Sequence, residues 1–340
     1  MDIKKIISAL TEGEGVSGNE ITLCNAEELL SAYADVHRDN LGSIIGTMGE
    51  GDTHIMLDAH LDRIGLIVTA VDDSGFLRVD RCGGCDTRVL NAATVTVWGK
   101  KPVFGVITST PPHLKKADSD SKAPAFDEIF IDTGLDGTTL KKIVSVGDRI
   151  TVDAPVTSLS DNIITGSALD DRAGMAALLR VAEIIKEKNP PVKVSFIFSA
   201  QEETTEAGAK AGAYAITPDE AIAVDVSFGD APGISESQCG KLGKGGMICI
   251  SPSLSAEMSD DLMKIADKNG IKYQTEICPS STGTNADVIS VSKSGVKTGL
   301  VSIPLRNMHT QAELADINDI ESVAQIIASY IIAKGDKNNA

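Results

Sequence analysis

Glu202 and Glu203 stand side by side at the end of the apolar run Val194-Ser195-Phe196-Ile197-Phe198-Ser199-Ala200. A run that apolar reads as a strand buried on both faces, and the carboxyl end of such a strand is where open α/β sheets bind ligands. Two adjacent carboxylates at that rim call for a cation. His60, Asp170, Asp225 and His309 can complete a site for it. Residues 53–59 form an apolar stretch that His60 closes, residues 221–224 precede Asp225, and residues 299–304 precede His309. Mixed imidazole and carboxylate donors favour zinc, cobalt or manganese over magnesium and calcium, which prefer oxygen alone.

If Asp170 bridges two divalent ions, His60 with Asp225 can complete one and Glu203 with His309 the other. Each ion then keeps an open position, where a shared water would be acidified. Glu202 can take the proton while the metals polarise a scissile carbonyl. That is amide or peptide hydrolysis. A glycosidase pair at Glu202 and Glu203 is excluded, because neighbours on a strand point to opposite faces and the histidines would be left without a role.

The elements that must position these groups follow from periodicity. Residues 1–65 read as two helices, the second over 19–33, followed by strands. Between about 66 and 160 short β-rich runs such as 66–71, 76–79, 94–98 and 103–108 alternate with Gly, Pro and Asp turns, as in a small barrel or sandwich. Helix and strand then alternate again: helices at 172–188, 207–215, 256–269, 286–294 and 319–333, strands at 192–200, 221–226, 272–276 and 297–303. The expectation is a mixed-sheet α/β/α domain of residues 1–65 and 160–340, into which a small β-barrel-like domain of residues 66–159 is inserted. Residues 334–340 read as a frayed tail.

Composition narrows the classes. The chain has 340 residues, 42% hydrophobic and 23% charged, with a net charge of −17. Such a field repels nucleic acid and anionic lipid. No apolar stretch approaches the roughly 18 residues that cross a bilayer. The first seven residues read as an amphipathic helix rather than a secretory signal, so a cytoplasmic protein is expected. Six cysteines are scattered without the spacing of a disulfide framework, and Cys82-Gly83-Gly84-Cys85 lacks the second pair that a zinc knuckle needs. His37, His54 and His113 lack partnered motifs and read as structural or surface residues. The acidic stretch 118–121 reads as solvated loop.

Five motifs carry a family resemblance: Ala59-His60-Leu61-Asp62-Arg63-Ile64-Gly65, Ala168-Leu169-Asp170-Asp171-Arg172-Ala173-Gly174, Gln201-Glu202-Glu203, Ala223-Val224-Asp225-Val226 and Met308-His309-Thr310-Gln311-Ala312-Glu313. In order and spacing they resemble the co-catalytic metallo-aminopeptidases of family forty-two, the tetrahedral and glutamyl aminopeptidases. Pro111-Pro112-His113-Leu114 and Val146-Gly147-Asp148 extend the likeness through the β segment. The resemblance implies hydrolysis of N-terminal residues from peptides, with His60, Asp170, Glu203, Asp225 and His309 as metal ligands, Asp170 bridging, and Glu202 as general base. It further implies that Asp62 orients the His60 imidazole, that the Asp170-Asp171 peptide is cis, and that dimers formed through the β domain close into a tetrahedral dodecamer. Another metal-dependent amide hydrolase, a deacylase or dipeptidase, remains an alternative. So does a non-catalytic oligomer with a vestigial site, because Arg63, Thr204-Thr205-Glu206-Ala207 and Asn285 depart from the family pattern.

Overall fold

Asp2 opens the first helix, α1 (Ile3–Thr11), by accepting the Lys5 N–H at 3.2 Å, and Ile3, Ile7 and Leu10 turn its apolar face inward. The computed structural model describes residues 1–111, 114 and 123–338. The second helix is shorter than its expected span of 19–33. Leu23, with ψ near 70°, separates a 3₁₀ turn at Glu20–Thr22 from α2 (Cys24–Ser31). Strands β1 (Asp35–Arg38), β2 (Ile44–Met48) and β3 (His54–His60) follow.

From β3 the chain passes into a closed antiparallel barrel. Its strands are β4 (Gly65–Val71), β5 (Phe76–Cys82), β6 (Thr94–Trp98), β7 (Pro102–Ser109), β8 (Ile129–Asp132) and β9 (Arg149–Val152), joined in the order β4-β5-β8-β7-β6-β9. Strict alternation does this: β7 buries Val103, Gly105 and Ile107 and exposes the residues between, and Leu66, Val68, Leu77, Val95 and Ile131 fill the same interior. Two single helical turns, α3 (Thr87–Leu90) and α4 (Gly137–Leu140), interrupt it.

The remaining elements are β10 (Thr157–Ser158), β11 (Ile163–Gly166), α5 (Leu169–Lys188), β12 (Lys193–Ser199), α6 (Glu202–Thr205), α7 (Ala207–Ile216), β13 (Glu220–Phe228), β14 (Gly246–Ile250), α8 (Ala256–Asn269), β15 (Tyr273–Ile277), α9 (Asn285–Ser290), β16 (Lys297–Leu305), β17 (Glu313–Asp316) and α10 (Ile317–Asn338). Eight strands form one mixed sheet in the order β1-β2-β12-β3-β13-β16-β14-β15, with β12, β3, β13 and β16 parallel at its centre. Those strands send successive side chains to opposite faces, and both faces are covered. Ile55, Leu57, Phe196 and Phe198 join the core beneath α1, α5, α8 and α10, while Met56 and Ile197 meet Ala209 and Ala213 of α7 and Ala286 and Ile289 of α9. A second, three-stranded sheet, β10-β11-β17, has no counterpart among the expected strands.

Helix α9 ends four residues before its expected limit, and α10 continues through residues 334–338 where a frayed tail was expected. Pro112, His113 and the acidic stretch 118–121 lie outside the described residues. Among the described residues, no helix is long and apolar enough to cross a membrane.

Candidate metal centre

Strand register brings the candidate ligands to one level. His60, the last residue of β3, pairs with Ser199, the last of β12; on its other side β3 pairs with β13 through Asp58 and Ala223, which sets Asp225 two residues on, in the row of His60. Asp225 therefore lies inside its strand, as in the expected span 221–226, and the strand runs on to Phe228. Glu202 and Glu203 lie beyond the end of β12 and are not on a strand. Gln201, with φ near 62°, turns the chain after β12, and the two glutamates open the single-turn α6. The argument from strand alternation against a glycosidase pair accordingly does not apply to them, and the exclusion rests on the histidines.

Asp170 and Asp171 precede the regular part of α5: both have non-helical backbone angles, and the peptide between them is cis. His309 sits in a turn after β16 with φ near 62°. All five candidate ligands converge. His60 Nε2 lies 2.9 Å from Asp170 Oδ1 and 3.9 Å from Asp225 Oδ1, whereas His309 Nε2 lies 3.1 Å from Asp170 Oδ2 and 3.4 Å from Glu203 Oε2. The two oxygens of Asp170 thus face two different pairs of donors. Glu202 lines the same cavity as Asp170, Glu203, Asp225 and His309.

The charges here are unbalanced. Burial opposes ionisation of Asp170, yet the two histidines hold its carboxyl below the usual range. Burial also works against a charged His60, but its hydrogen bonds to Asp170 and Asp62 carry the imidazole well above its ordinary value; His309 rises to about 9 through the same Asp170 carboxylate. Burial and then Asp170 push Glu203 up; burial and then Glu202 push Asp225 up, and burial lifts Glu202 to about 7. A divalent cation would displace the protons that these crowded carboxyls are made to hold. Glu203 Oε1, buried and without a hydrogen-bond partner, is a further acceptor that an ion would satisfy. The donor set, two imidazoles and three carboxylates, fits a pair of zinc-like ions.

The surrounding groups make further bonds beyond the expected ones. His60 Nδ1 bonds the backbone oxygen of Asp62 at 3.0 Å, and the Asp62 carboxylate is 3.7 Å away. That carboxylate also accepts the N–H groups of Glu202 at 2.9 Å and Glu203 at 3.2 Å, fixing α6. Asp171 caps α5 through Gly174 N at 2.9 Å and accepts the His60 N–H at 3.2 Å. A Cβ at Gly174 would stand 2.3 Å from Asp171 Oδ1. Glu313 has a role that the sequence pattern does not assign. Its buried carboxylate, raised to about 8 by burial and then by Asp170, takes the N–H of Asp170 at 3.2 Å and of His309 at 2.9 Å, tying the two together. The one signal for it was its place in the last motif. The turn between Cys82 and Cys85 also belongs to the site: a Cβ at Gly84 would lie 2.6 Å from His309 Nδ1, and one at Gly83 3.3 Å from Glu203 Cβ.

Two of the departures from the family pattern, Arg63 and Asn285, are buried, whereas Thr204 and Thr205 are exposed. Arg63 is buried and reaches the Val152 carbonyl of β9 at 3.3 Å. Thr204 Oγ1 meets Ser17 Oγ at 2.9 Å, and Asn285 Nδ2 donates to Asp58 Oδ2 at 2.9 Å and Ser199 Oγ at 2.8 Å. His54 is tied to Ser195 Oγ at 2.8 Å and His37 lies on β1; neither joins the centre.

The centre opens on a cavity of about 1110 Å³ walled by α6, the end of β13, residues 276–284 and the turn at His309. With that geometry, the relatives of the chain are decisive. Residues 42–326 match the M42 glutamyl aminopeptidase family. The chain belongs to that family. Membership makes it a metal-dependent aminopeptidase, a hydrolase of peptide bonds. It is 32% identical over 338 residues to the lysyl aminopeptidase of Pyrococcus furiosus, covering 97% of this chain and 95% of that protein. The aminopeptidase APDkam598 from the archaeon Desulfurococcus kamchatkensis superposes with a TM-score of 0.91 at 32% identity, over 97% of this chain and 94% of that one. The TET1 peptidase of Pyrococcus horikoshii, which can assemble into a tetrahedron or a large octahedral shell, superposes with a TM-score of 0.86 at 30% identity, over 96% and 98%.

Proposed function

We propose that this aminopeptidase holds two divalent ions, zinc or cobalt in preference to manganese, with Asp170 between them. His60 and Asp225 would complete one ion and His309 and Glu203 the other. The observation that carries this reading is the division of the two Asp170 oxygens between two donor pairs, at 2.9 Å and 3.1 Å from the two imidazoles. Such ions supply Lewis acidity, polarising the scissile carbonyl.

The chain's own groups do the rest. Glu202, raised to about 7 by burial, is suited to take a proton from the attacking water and hand it to the leaving amine. Asp62 holds α6 so that Glu202 and Glu203 face the cavity together, and Glu313 sets the spacing of Asp170 and His309. The cavity of about 1110 Å³ beside Glu202 and Glu203 would receive the N-terminal end of the peptide.

We assign association of copies to the barrel, whose β7 exposes Phe104 and Val106, and assembly into a tetrahedral dodecamer follows the example of the TET1 peptidase. The reading places the protein in the cytoplasm, and the five described cysteines, all free, support a reducing compartment. Stripping metal with a chelator and reloading with zinc, cobalt or manganese tests it on a panel of aminoacyl chromogenic amides, free and N-acetylated. Turnover of free-amine substrates alone, lost with the metal and restored by it, is expected. Equal turnover of the N-acetylated panel would replace this reading by that of a deacylase.

A further inference from the structure

A second cluster of metal-binding side chains stands apart from the first. Cys249 of β14 and Glu276 of β15 are direct register partners, and Cys278 follows β15 with its N–H on the Ile250 carbonyl at 3.0 Å. The two sulfurs are 3.3 Å apart, and one ligand atom from each of the three residues lies within 4.8 Å of the others. Cys249 is buried, while Glu276 and Cys278 are half-buried and form part of the wall of the substrate cavity. Both oxygens of Glu276 are oriented by serines: Ser227 Oγ donates to one, and Ser302 Oγ to the other at 3.0 Å. A ligating carboxylate anchored by hydroxyls is the usual supporting arrangement of a metal site.

We propose that Cys249, Cys278 and Glu276 bind a third divalent cation of the zinc class, with its remaining coordination position toward the substrate cavity. Two thiolates and one carboxylate select a borderline-soft ion over magnesium or calcium. Tetrahedral zinc with sulfur bonds of about 2.3 Å holds two thiolates about 3.8 Å apart, so the observed pair needs to open by only about 0.5 Å. A disulfide would require the sulfurs to close to about 2.0 Å. Burial keeps both thiols protonated without the ion, so binding one divalent ion releases two protons.

None of these residues belongs to the His60–His309 centre; the expected total ion count takes two ions there from the proposed function, while the cysteine site and its absorption band do not rest on that reading. The test is a titration of the reduced full-length protein with cobalt, followed by near-ultraviolet absorption and by elemental analysis. The other centre offers only nitrogen and oxygen donors, so thiolate-to-cobalt charge-transfer absorption reports the cysteines. The expected result is that band together with three ions per chain, and in Cys278→Ser, at a half-exposed position, loss of the band and of one ion with two retained. Absence of the band in the parent protein overturns the proposal. So does its persistence in Cys278→Ser, or recovery of Cys249 and Cys278 as a disulfide under reducing conditions. Substituting His60 removes ions only from the other centre and leaves the band, so the two readings fail separately.

Discussion

Replacing Asp62 with asparagine tests what that buried carboxylate does. Its Oδ1 and Oδ2 each accept one N–H, from Glu202 at 2.9 Å and from Glu203 at 3.2 Å, and its side chain has no exposed surface. Asparagine keeps one acceptor and presents an NH₂ to the other N–H. A buried donor left unsatisfied costs about 1–3 kcal/mol. That cost falls on α6, the one-turn helix carrying Glu202 and Glu203, and a shift of about 1 Å in a reacting group lowers turnover by up to about 100-fold. The expected outcome for Asp62→Asn is a folded protein with a reduced Tm and kcat down roughly 10- to 100-fold at saturating metal, measured by thermal unfolding and by hydrolysis of an aminoacyl chromogenic amide. If Asp62 served only to orient His60, from which it is 3.7 Å distant, saturating metal would restore kcat. Parent-level kcat together with an unchanged Tm would refute the assignment.

Glu202→Gln removes the base while leaving the backbone bond to Asp62 in place; metal content should be retained and kcat should fall about 10²- to 10⁴-fold, and activity at the parent level would remove Glu202 from the chemistry. Gly174→Ala, ordinarily favourable inside a helix by about 1 kcal/mol, should instead lower the Tm, since the new Cβ meets the Asp171 carboxylate that also holds the His60 N–H; a raised Tm contradicts this. Asn285→Asp sets a second carboxylate against Asp58, whose own pKa burial has already raised to about 6. Both groups then titrate above their unfolded values, so stability is complete in acid, below about pH 4, and falls as pH rises through 6 and beyond. Tm measured from pH 5 to 8 should decline more steeply than in the parent, and parallel profiles would show that the pair is not coupled.

Much of this architecture was legible because burial imposes pattern. The doubly covered strands β12 and β13 are continuous apolar runs, and the barrel strands alternate, so fold class and the convergence of His60, Asp170, Glu203, Asp225 and His309 could be read from residues alone. What failed was local backbone geometry. Gln201 takes a left-handed conformation that no periodicity announces, so Glu202 and Glu203 were placed on a strand rather than a helical turn. Leu23 broke a helix whose apolar spacing looked continuous. The supporting carboxylates were hardest to assign, since a buried Glu313 or Asp62 that accepts distant N–H groups has the same sequence signature as a solvated acid. Gly83 and Gly84 read as a plain turn because only the folded barrel brings them against His309 and Glu203.

Diffraction from crystals of the zinc-loaded protein, with anomalous differences recorded at the zinc edge, tests the central claim most directly. The account predicts two peaks at this centre about 3.5–4 Å apart, one beside His60 and Asp225, the other beside Glu203 and His309, with Asp170 between them. A single peak there in crystals grown with excess zinc, or two peaks that do not share Asp170, would contradict it.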